Sequence, residues 1–205
     1  MKTEKSVFYF LEAYMKLSII LPVYNLPNLT KRALDSIPFD EDLEVIVVND
    51  GSTDDMSFIK EYPVKYISYD ENVNVGHARN IALNECRGEY IYGLDNDDYL
   101  YTEEFREAMK ELDGTDMVFV NVKVNGGFVL ELNEQNKHHY CAFWSKFVRR
   151  DLIGNTRCLE AQELDDYYFN EEIMKKPHTE KYTGIVAYHY NFPREGSIIW
   201  KRNHL

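Results

Sequence analysis

The sequence predicts an α/β fold with a mostly parallel sheet flanked by helices, followed by a smaller mixed portion. Three observations predict it. Short apolar runs recur four times between Lys16 and Leu94, each giving way to polar or acidic residues. That is the pattern of strands buried on both faces of a parallel sheet. Between the runs, apolar residues return at helical spacing. Strands alternating with helices in this way imply right-handed crossovers in an open sheet.

The first strand is "KLSIILPVY" from Lys16, and Leu29, Ala33 and Ile37 then mark a helix with Asn28 as N-cap and Pro38 as its stop. "LEVIVVND" from Leu43 is the second strand, Asp54 caps a short helix, and "VKYISY" from Val64 is the third strand. Val75, Ala78, Ala82 and Glu85 set a second helix, after which Gly88 leads into the strand "EYIYGL". Past Asp98 the pattern changes. Glu103 to Leu112 reads as an amphipathic helix, "TDMVFVNVKV" as a longer strand, and "NGG" at Asn125 as a hairpin turn into "FVLEL". A polar loop over 133–139, an aromatic stretch around Trp144, an acidic helix from Glu163 to Met174 and a Tyr-rich strand from Tyr182 to Tyr190 complete the chain. With no repeat and no Gly/Ser linker, residues 16–205 read as one domain. Residues 1–15 read as an extension, either an amphipathic docking helix or an upstream start before Met15.

Composition narrows the function. The 205 residues carry 23 Lys+Arg against 35 Asp+Glu, a net charge of -12, which argues against nucleic acid as a partner because phosphate neutralisation needs a basic surface. A chain that is 44% hydrophobic and 28% charged is globular, not disordered. Cys86, Cys141 and Cys158 are odd in number and form no C-x-x-C, so neither a disulfide framework nor a zinc site is supported. No apolar run reaches the roughly 18 residues of a membrane span. The expected location is the cytoplasm, with peripheral contact at the inner face of the plasma membrane left open and the oligomeric state unread.

Ligands of open α/β sheets bind beyond the carboxyl ends of the strands. Four loops lie there: Pro22-Val23-Tyr24-Asn25, Asn49 to Asp54, Asn74-Val75-Gly76, and Asp95-Asn96-Asp97-Asp98. Acidic runs often only cap a helix or face water. Three carboxylates directly after a buried strand nevertheless repel one another unless a cation offsets them, which favours Mg²⁺ or Mn²⁺ at Asp95, Asp97 and Asp98. Neither G-x-G-x-x-G nor G-x-x-x-x-G-K-[ST] occurs, so the usual dehydrogenase and NTPase loops are excluded. Arg79 is open to two roles, a phosphate contact or a pair with a surface carboxylate.

Together "LSIILPVYN", "LEVIVVNDGSTD", "NVGHARNIALNECRGEYIYGLDNDDYL" and, more loosely, "FWSKFVRRDLI", "QELDDYYFN" and "YHYNFPREGSI" resemble the family 2 glycosyltransferases of the GT-A fold, with a Rossmann-like sheet. The resemblance implies a metal-dependent, inverting transfer of a hexosyl or N-acetylhexosaminyl group from a nucleotide-sugar, a UDP-sugar first, to a saccharide or lipid-linked acceptor in surface polysaccharide or glycoconjugate synthesis. It implies a nucleotide-binding half over 16–100 and an acceptor-side half over 101–205. Pro22, Val23 and Tyr24 would line the nucleoside pocket, Asp50 would accept from the base, and Arg79 would lie near the base or phosphates. Asp95 and Asn96 would face the donor, and Asp97, with Asp95 and Asp98, would hold the Mn²⁺ or Mg²⁺. The family's base is the second acid of a Glu-Asp pair; here Glu163-Leu164-Asp165-Asp166 departs from that pattern, leaving Asp166 first, then Asp165 or Glu163.

Other conspicuous residues have plainer readings. Phe143, Trp144 and Phe147 are expected in the core. Lys146 and Arg149-Arg150 fit either an anionic-acceptor contact or a solvated helix face, and His138-His139 an inert loop. His189 is either a late metal ligand or a packed strand residue, and Arg194 lies within a closing loop where it can touch phosphate. Two alternatives of other classes stand: a nucleotide-sugar-binding module without turnover, and a nucleotidyltransferase, which the absence of a Gly- and Lys-rich loop disfavours.

Overall fold

Seven consecutive buried residues, Leu17–Val23, form the central strand β1 in the computed structural model, which describes residues 15–138, 142–161 and 164–197. Helix α1 (Pro27–Asp35), strand β2 (Leu43–Asp50), a 3-10 turn (Ser57–Glu61), β3 (Lys65–Tyr69), α2 (Val75–Glu85) and β4 (Tyr90–Gly93) follow. The chain then forms β5 (Tyr99–Leu100), α3 (Thr102–Met109), β6 (Met117–Val124), β7 (Val129–Leu130), β8 (Lys146–Arg149), the single turn α4 (Arg150–Ile153), α5 (Asp165–Met174) and β9 (Glu180–Tyr190). The strands join in one nine-stranded sheet, ordered β3-β2-β1-β4-β8-β6-β9-β5, with β7 beside β6.

The first four strands are mutually parallel, as their apolar runs predict. Antiparallel β8 joins the two halves, pairing Ile91 with Val148 on one side and Val118 with Phe147 on the other. β6 and β9 run parallel and carry the sheet outward. The second half is thus a mixed extension of the same sheet.

Two local expectations are corrected. Helix α1 begins at Pro27, with Leu26 in left-handed backbone at φ 63°, and not after Asn28. Proline at the first helical position has no N–H to satisfy and a fitting φ, so the helix starts there without a side-chain cap. The segment around Lys146 is strand rather than a solvated helix face. Lys146 is only 1% exposed, and its ammonium donates to the Ala142 carbonyl at 3.2 Å and lies 5.7 Å from the Phe119 ring centroid.

The core centres on aromatic rings where the halves meet. Tyr92 lies 4.6 Å from Phe147 and 5.0 Å from Phe105, and its hydroxyl donates to the Trp144 carbonyl at 2.5 Å. Phe143, Trp144 and Phe147 are buried as expected. Burying each such ring contributes about 1.5–3 kcal/mol and fixes the ends of β4 and β9 against each other. Cys86 and Cys158 are free and buried, and burial pushes both thiols up to about 12, so they pack rather than react. Cys141 lies outside the described residues. Among the described residues no helix is long and apolar enough to cross a membrane.

Candidate active site

The loops leaving β1 and β2 are stapled to each other. Asn25 and Leu26 take φ values of 55° and 63°, a sharp turn that non-glycine residues hold only when other bonds compensate. Here Asn25 supplies them: its Oδ1 accepts from the Thr53 and Asp54 amides at 2.8 and 3.1 Å, and its own N–H donates to Ser52 Oγ at 2.8 Å. Pro22 and Val23 are buried beneath this turn, and Tyr24 is 46% exposed above it. Asp50 is 3% exposed, and its carboxylate accepts from the Val73 amide at 3.0 Å and the Asn72 side chain at 2.9 Å. Burial raises its pKa, with the Val73 amide opposing. Gly51, at φ 69°, is required here, since a Cβ would stand 2.3 Å from the Asn72 nitrogen.

Arg79 is the hub of the site. Asn74 caps α2 by accepting from the His77 amide at 2.8 Å, and this fixes the first turn, directly after which Arg79 projects. Arg79 is 4% exposed and makes two ion pairs, Nη1 to Asp165 at 2.5 Å and Nη2 to Asp95 at 2.7 Å, with Phe143 packed 5.4 Å from the guanidinium. Burial disfavours its charge, but the Asp95 and Asp165 carboxylates outweigh it, so the guanidinium stays ionised. Of the two roles open in the sequence, Arg79 takes the carboxylate pair, within the site and not at the surface. The approach depends on Gly76, where a Cβ would meet the Leu159 carbonyl at 2.0 Å, and on Asn80, which exchanges hydrogen bonds with the Cys158 backbone at 3.0 and 2.7 Å.

The four residues Asp95 to Asp98, which follow β4 and Leu94, make different contacts. Asp95 and Asp97 are partly exposed at the mouth of the site. Asp97 accepts from Arg194 Nε at 2.6 Å, while burial and the negative charge of Asp95 raise its pKa. Asn96 donates to the Asn25 carbonyl at 3.1 Å and to Thr30 Oγ1 at 3.0 Å, so the amide expected to meet the donor ties two loops together. Asp98 is corrected as a metal candidate. It is 0% exposed, accepting from the Tyr188 hydroxyl at 2.6 Å and the Asn191 amide at 2.8 Å, and burial drives its pKa well up. His189 packs instead of ligating: it stacks on Tyr99 at 4.3 Å, and its ring nitrogens meet the Tyr101 hydroxyl and Asn125 Oδ1, each at 2.9 Å.

The remaining carboxylates sit at the start of α5. Leu164 holds left-handed backbone at φ 63° as the helix begins. Asp165 is 4% exposed and pairs with Arg79. Asp166 stays partly exposed; burial raises its pKa and the Arg79 charge opposes that rise. Glu163 lies outside the described residues. The sequence reading missed Tyr188 and Asn191 as the anchors of the acidic loop. Their signal was the alternation of tyrosines in "YHYN", which puts Tyr188 and Tyr190 on one strand face.

Asp95 and Asp97 fit a divalent cation by their chemistry. Two hard oxygen donors, each satisfied in part by an arginine, suit Mg²⁺ or Mn²⁺ with further ligands from phosphate and water. Among the described residues no group of three His, Cys, Asp or Glu side chains forms a closed metal cage.

A Rossmann-like parallel half, an acidic pair at the end of its last strand, and a carboxylate-bearing helix bridged to that pair define a GT-A glycosyltransferase domain. The chain belongs to glycosyl transferase family 2, whose profile matches residues 18–170. It is 36% identical to glycosyltransferase GlyA of Streptococcus pneumoniae over 90% of this chain and 32% of that protein. To the minor teichoic acid biosynthesis protein GgaB of Bacillus subtilis it is 30% identical, over 88% of this chain and 23% of GgaB. Among solved structures, Staphylococcus aureus TarS 1–349 in complex with UDP-GlcNAc superposes with a TM-score of 0.77 at 24% identity, covering 89% of this chain and 60% of TarS. A Pyrobaculum calidifontis mannosyltransferase in complex with GDP-Man and Mn²⁺ gives 0.70 at 20% identity, over 94% of this chain and 61% of that one. The chain thus spans under two thirds of the length of these relatives, and the structural likenesses establish the fold.

Proposed function

We propose that the protein is a metal-dependent inverting glycosyltransferase. In this reading it moves a hexosyl or N-acetylhexosaminyl group from a UDP-sugar to a saccharide or lipid-linked saccharide in surface glycan synthesis. The observation that carries the reading is the Arg79 bridge, which holds Asp95 of the acidic loop and Asp165 of α5 within one side chain's reach. It sets a cation-binding carboxylate pair and a separate, partly exposed carboxylate, Asp166, around a common space. The relatives that act in teichoic acid synthesis, and the UDP-GlcNAc and GDP-Man of the neighbouring structures, support the donor and acceptor classes.

The nucleotide belongs to residues 16–100 and the acceptor to residues 101–205. Val23 and Pro22 floor the nucleoside pocket, Tyr24 covers it, and Asp50 accepts from the base. Cleavage of the anomeric carbon–oxygen bond places negative charge on the departing diphosphate. The chemistry a bound Mn²⁺ or Mg²⁺ supplies is neutralisation of that charge, with Asp97 and Asp95 as its protein ligands. Arg194, held beside Asp97, adds a second positive group at the same place. Asp166 takes the proton of the acceptor hydroxyl as that oxygen attacks from the opposite face, and one displacement inverts the anomeric centre. Burial raises the proton affinity of Asp166, which strengthens it as a base, and the nearby Arg79 charge opposes that rise.

The test is binding and turnover across UDP-, GDP- and dTDP-sugars with Mn²⁺ or Mg²⁺. The reading expects one donor to raise the melting temperature only when metal is present, an effect of mass action on the folded state. It expects Asp97→Ala to abolish that rise. Stabilisation by a donor in EDTA overturns the metal assignment, and donor binding with nucleotide release no greater than the Asp166→Asn background, even with acceptors added, favours the binding module.

A further inference from the structure

Strand β9 ends against the acidic loop with two tyrosines on one face. Tyr188 and Tyr190 both pack on Trp144, each with ring centroids 5.1 Å away. The Tyr188 hydroxyl is committed, donating to Asp98 at 2.6 Å and accepting from the Asp95 amide at 3.3 Å. Tyr190 stands one pleat repeat further along the same strand face, about 6.6 Å beyond Tyr188. Its ring is clamped between Trp144 and Phe192, the latter stacked at 5.4 Å with planes 11° apart. Its backbone is pinned as well: the next residue, Asn191, donates its amide to Asp98 at 2.8 Å and its side chain to the Asp97 carbonyl at 3.2 Å.

A ring fixed this firmly carries a hydroxyl with nothing to do. Tyr190 is partly exposed, and among the described residues its hydroxyl has no hydrogen-bond partner. Burial first, then the charges of Asp98, Asp95, Asp97 and Asp166, hold its ionisation up. The carboxylates that act on it come from both arms of the site, the acidic loop and the start of α5. Geometry places the ring at the acidic loop: Tyr190 lies between Tyr188, whose hydroxyl holds Asp98, and Asn191, which holds Asp98 and the Asp97 carbonyl, beside the carboxylates that the donor's diphosphate would meet through a cation. A neutral phenol donates well to a neutral hydroxyl or amide carbonyl, while the positive Arg194 already serves the anionic end.

We propose that Tyr190 donates a hydrogen bond to an oxygen on the transferred sugar and so helps determine which sugar is accepted. The assignment rests on the nucleotide-sugar reading above. A preorganised donor aimed at one substituent discriminates against sugars that lack it, because the unpaired group then costs free energy.

The test compares wild type with Tyr190→Phe, which keeps the ring between Trp144 and Phe192 and removes only the hydroxyl. Titration calorimetry with Mn²⁺ measures binding of UDP and of UDP-GlcNAc, UDP-glucose and UDP-galactose. The proposal expects the variant to bind UDP within twofold of wild type, to bind the sugar preferred by wild type about fivefold to tenfold more weakly, and to unfold at the same temperature. Equal affinity of both proteins for the preferred UDP-sugar overturns it, and so does an equal loss for UDP and UDP-sugar, which would mark a structural role. If wild type binds UDP and no UDP-sugar more tightly than UDP, the proposal fails while the nucleotide site stands. If wild type binds none of the four, the donor reading fails first.

Discussion

Replacing Arg79 with methionine removes the cation that pairs with the buried Asp165. Asp165 is 4% exposed and pairs with Arg79 at 2.5 Å, so it would keep its burial and lose its partner. Breaking a buried pair from one side costs about 3–5 kcal/mol, and Asp95, with a side chain 29% exposed, adds little because water can reach it. For a domain of 205 residues, at roughly 2–4 °C per kcal/mol, the melting temperature should fall by about 6–20 °C. The informative protein is the double variant Arg79→Met/Asp165→Asn, in which the buried unpaired charge at residue 165 is gone and only the more exposed Asp95 has lost its partner. Urea unfolding of the four proteins closes a double-mutant cycle. The double variant should recover at least half of the loss. A cost below about 1 kcal/mol for Arg79→Met, or strictly additive losses, would refute the view that this pair holds α5 to the acidic loop.

Other perturbations separate structural acids from functional ones. Asp98→Asn should change Mn²⁺ affinity less than threefold in a titration, while Asp97→Asn lowers it at least tenfold, since Asp98 is buried among Tyr188 and Asn191. Gly76→Ala should destabilise by about 2–3 kcal/mol in urea and slow nucleotide release, because its Cβ would stand 2.0 Å from the Leu159 carbonyl in the segment leading to Asp165. Glu180 gives a pH signature. Burial opposes its charge, but hydrogen bonds from Lys137, Tyr182 and His178, with Lys137 at 2.6 Å, push it from 4.5 down to about 2. A lowered carboxylate stabilises fully above 4.5 and loses that contribution as pH falls towards 2. Wild type should therefore lose about 1–2 kcal/mol more than Glu180→Gln between pH 6 and about pH 2.5, measured by denaturant midpoints. Parallel pH curves would contradict it.

The parallel half was legible because each strand is a continuous apolar run and each helix has its own period. Residues Val75 to Glu85 emerge as α2 with the boundaries their spacing predicts. The joining strand was not legible: β8 has four residues, two of them basic, and Lys146 reads as solvated until Phe119 and the Ala142 carbonyl are seen around its ammonium. Asp95 to Asp98 read as one acidic cluster because adjacent acids look equivalent in sequence. What separates them is the direction of each side chain from a turning backbone, with Asp98 directed at Tyr188 from a strand 90 residues away. Arg79 could not be assigned from its helix alone, since Asp165, 86 residues distant, decides its role.

The division of labour between metal-binding and proton-accepting carboxylates is tested most directly by Asp166→Asn. Donor binding and nucleotide release are measured on one preparation with Mn²⁺, the preferred UDP-sugar and an acceptor. Removal of a general base costs 10²–10⁴-fold in rate. The account predicts donor affinity within threefold of wild type and acceptor-dependent release lowered at least a hundredfold. Release within tenfold of wild type would contradict it, and the base would have to be sought elsewhere on the acceptor side.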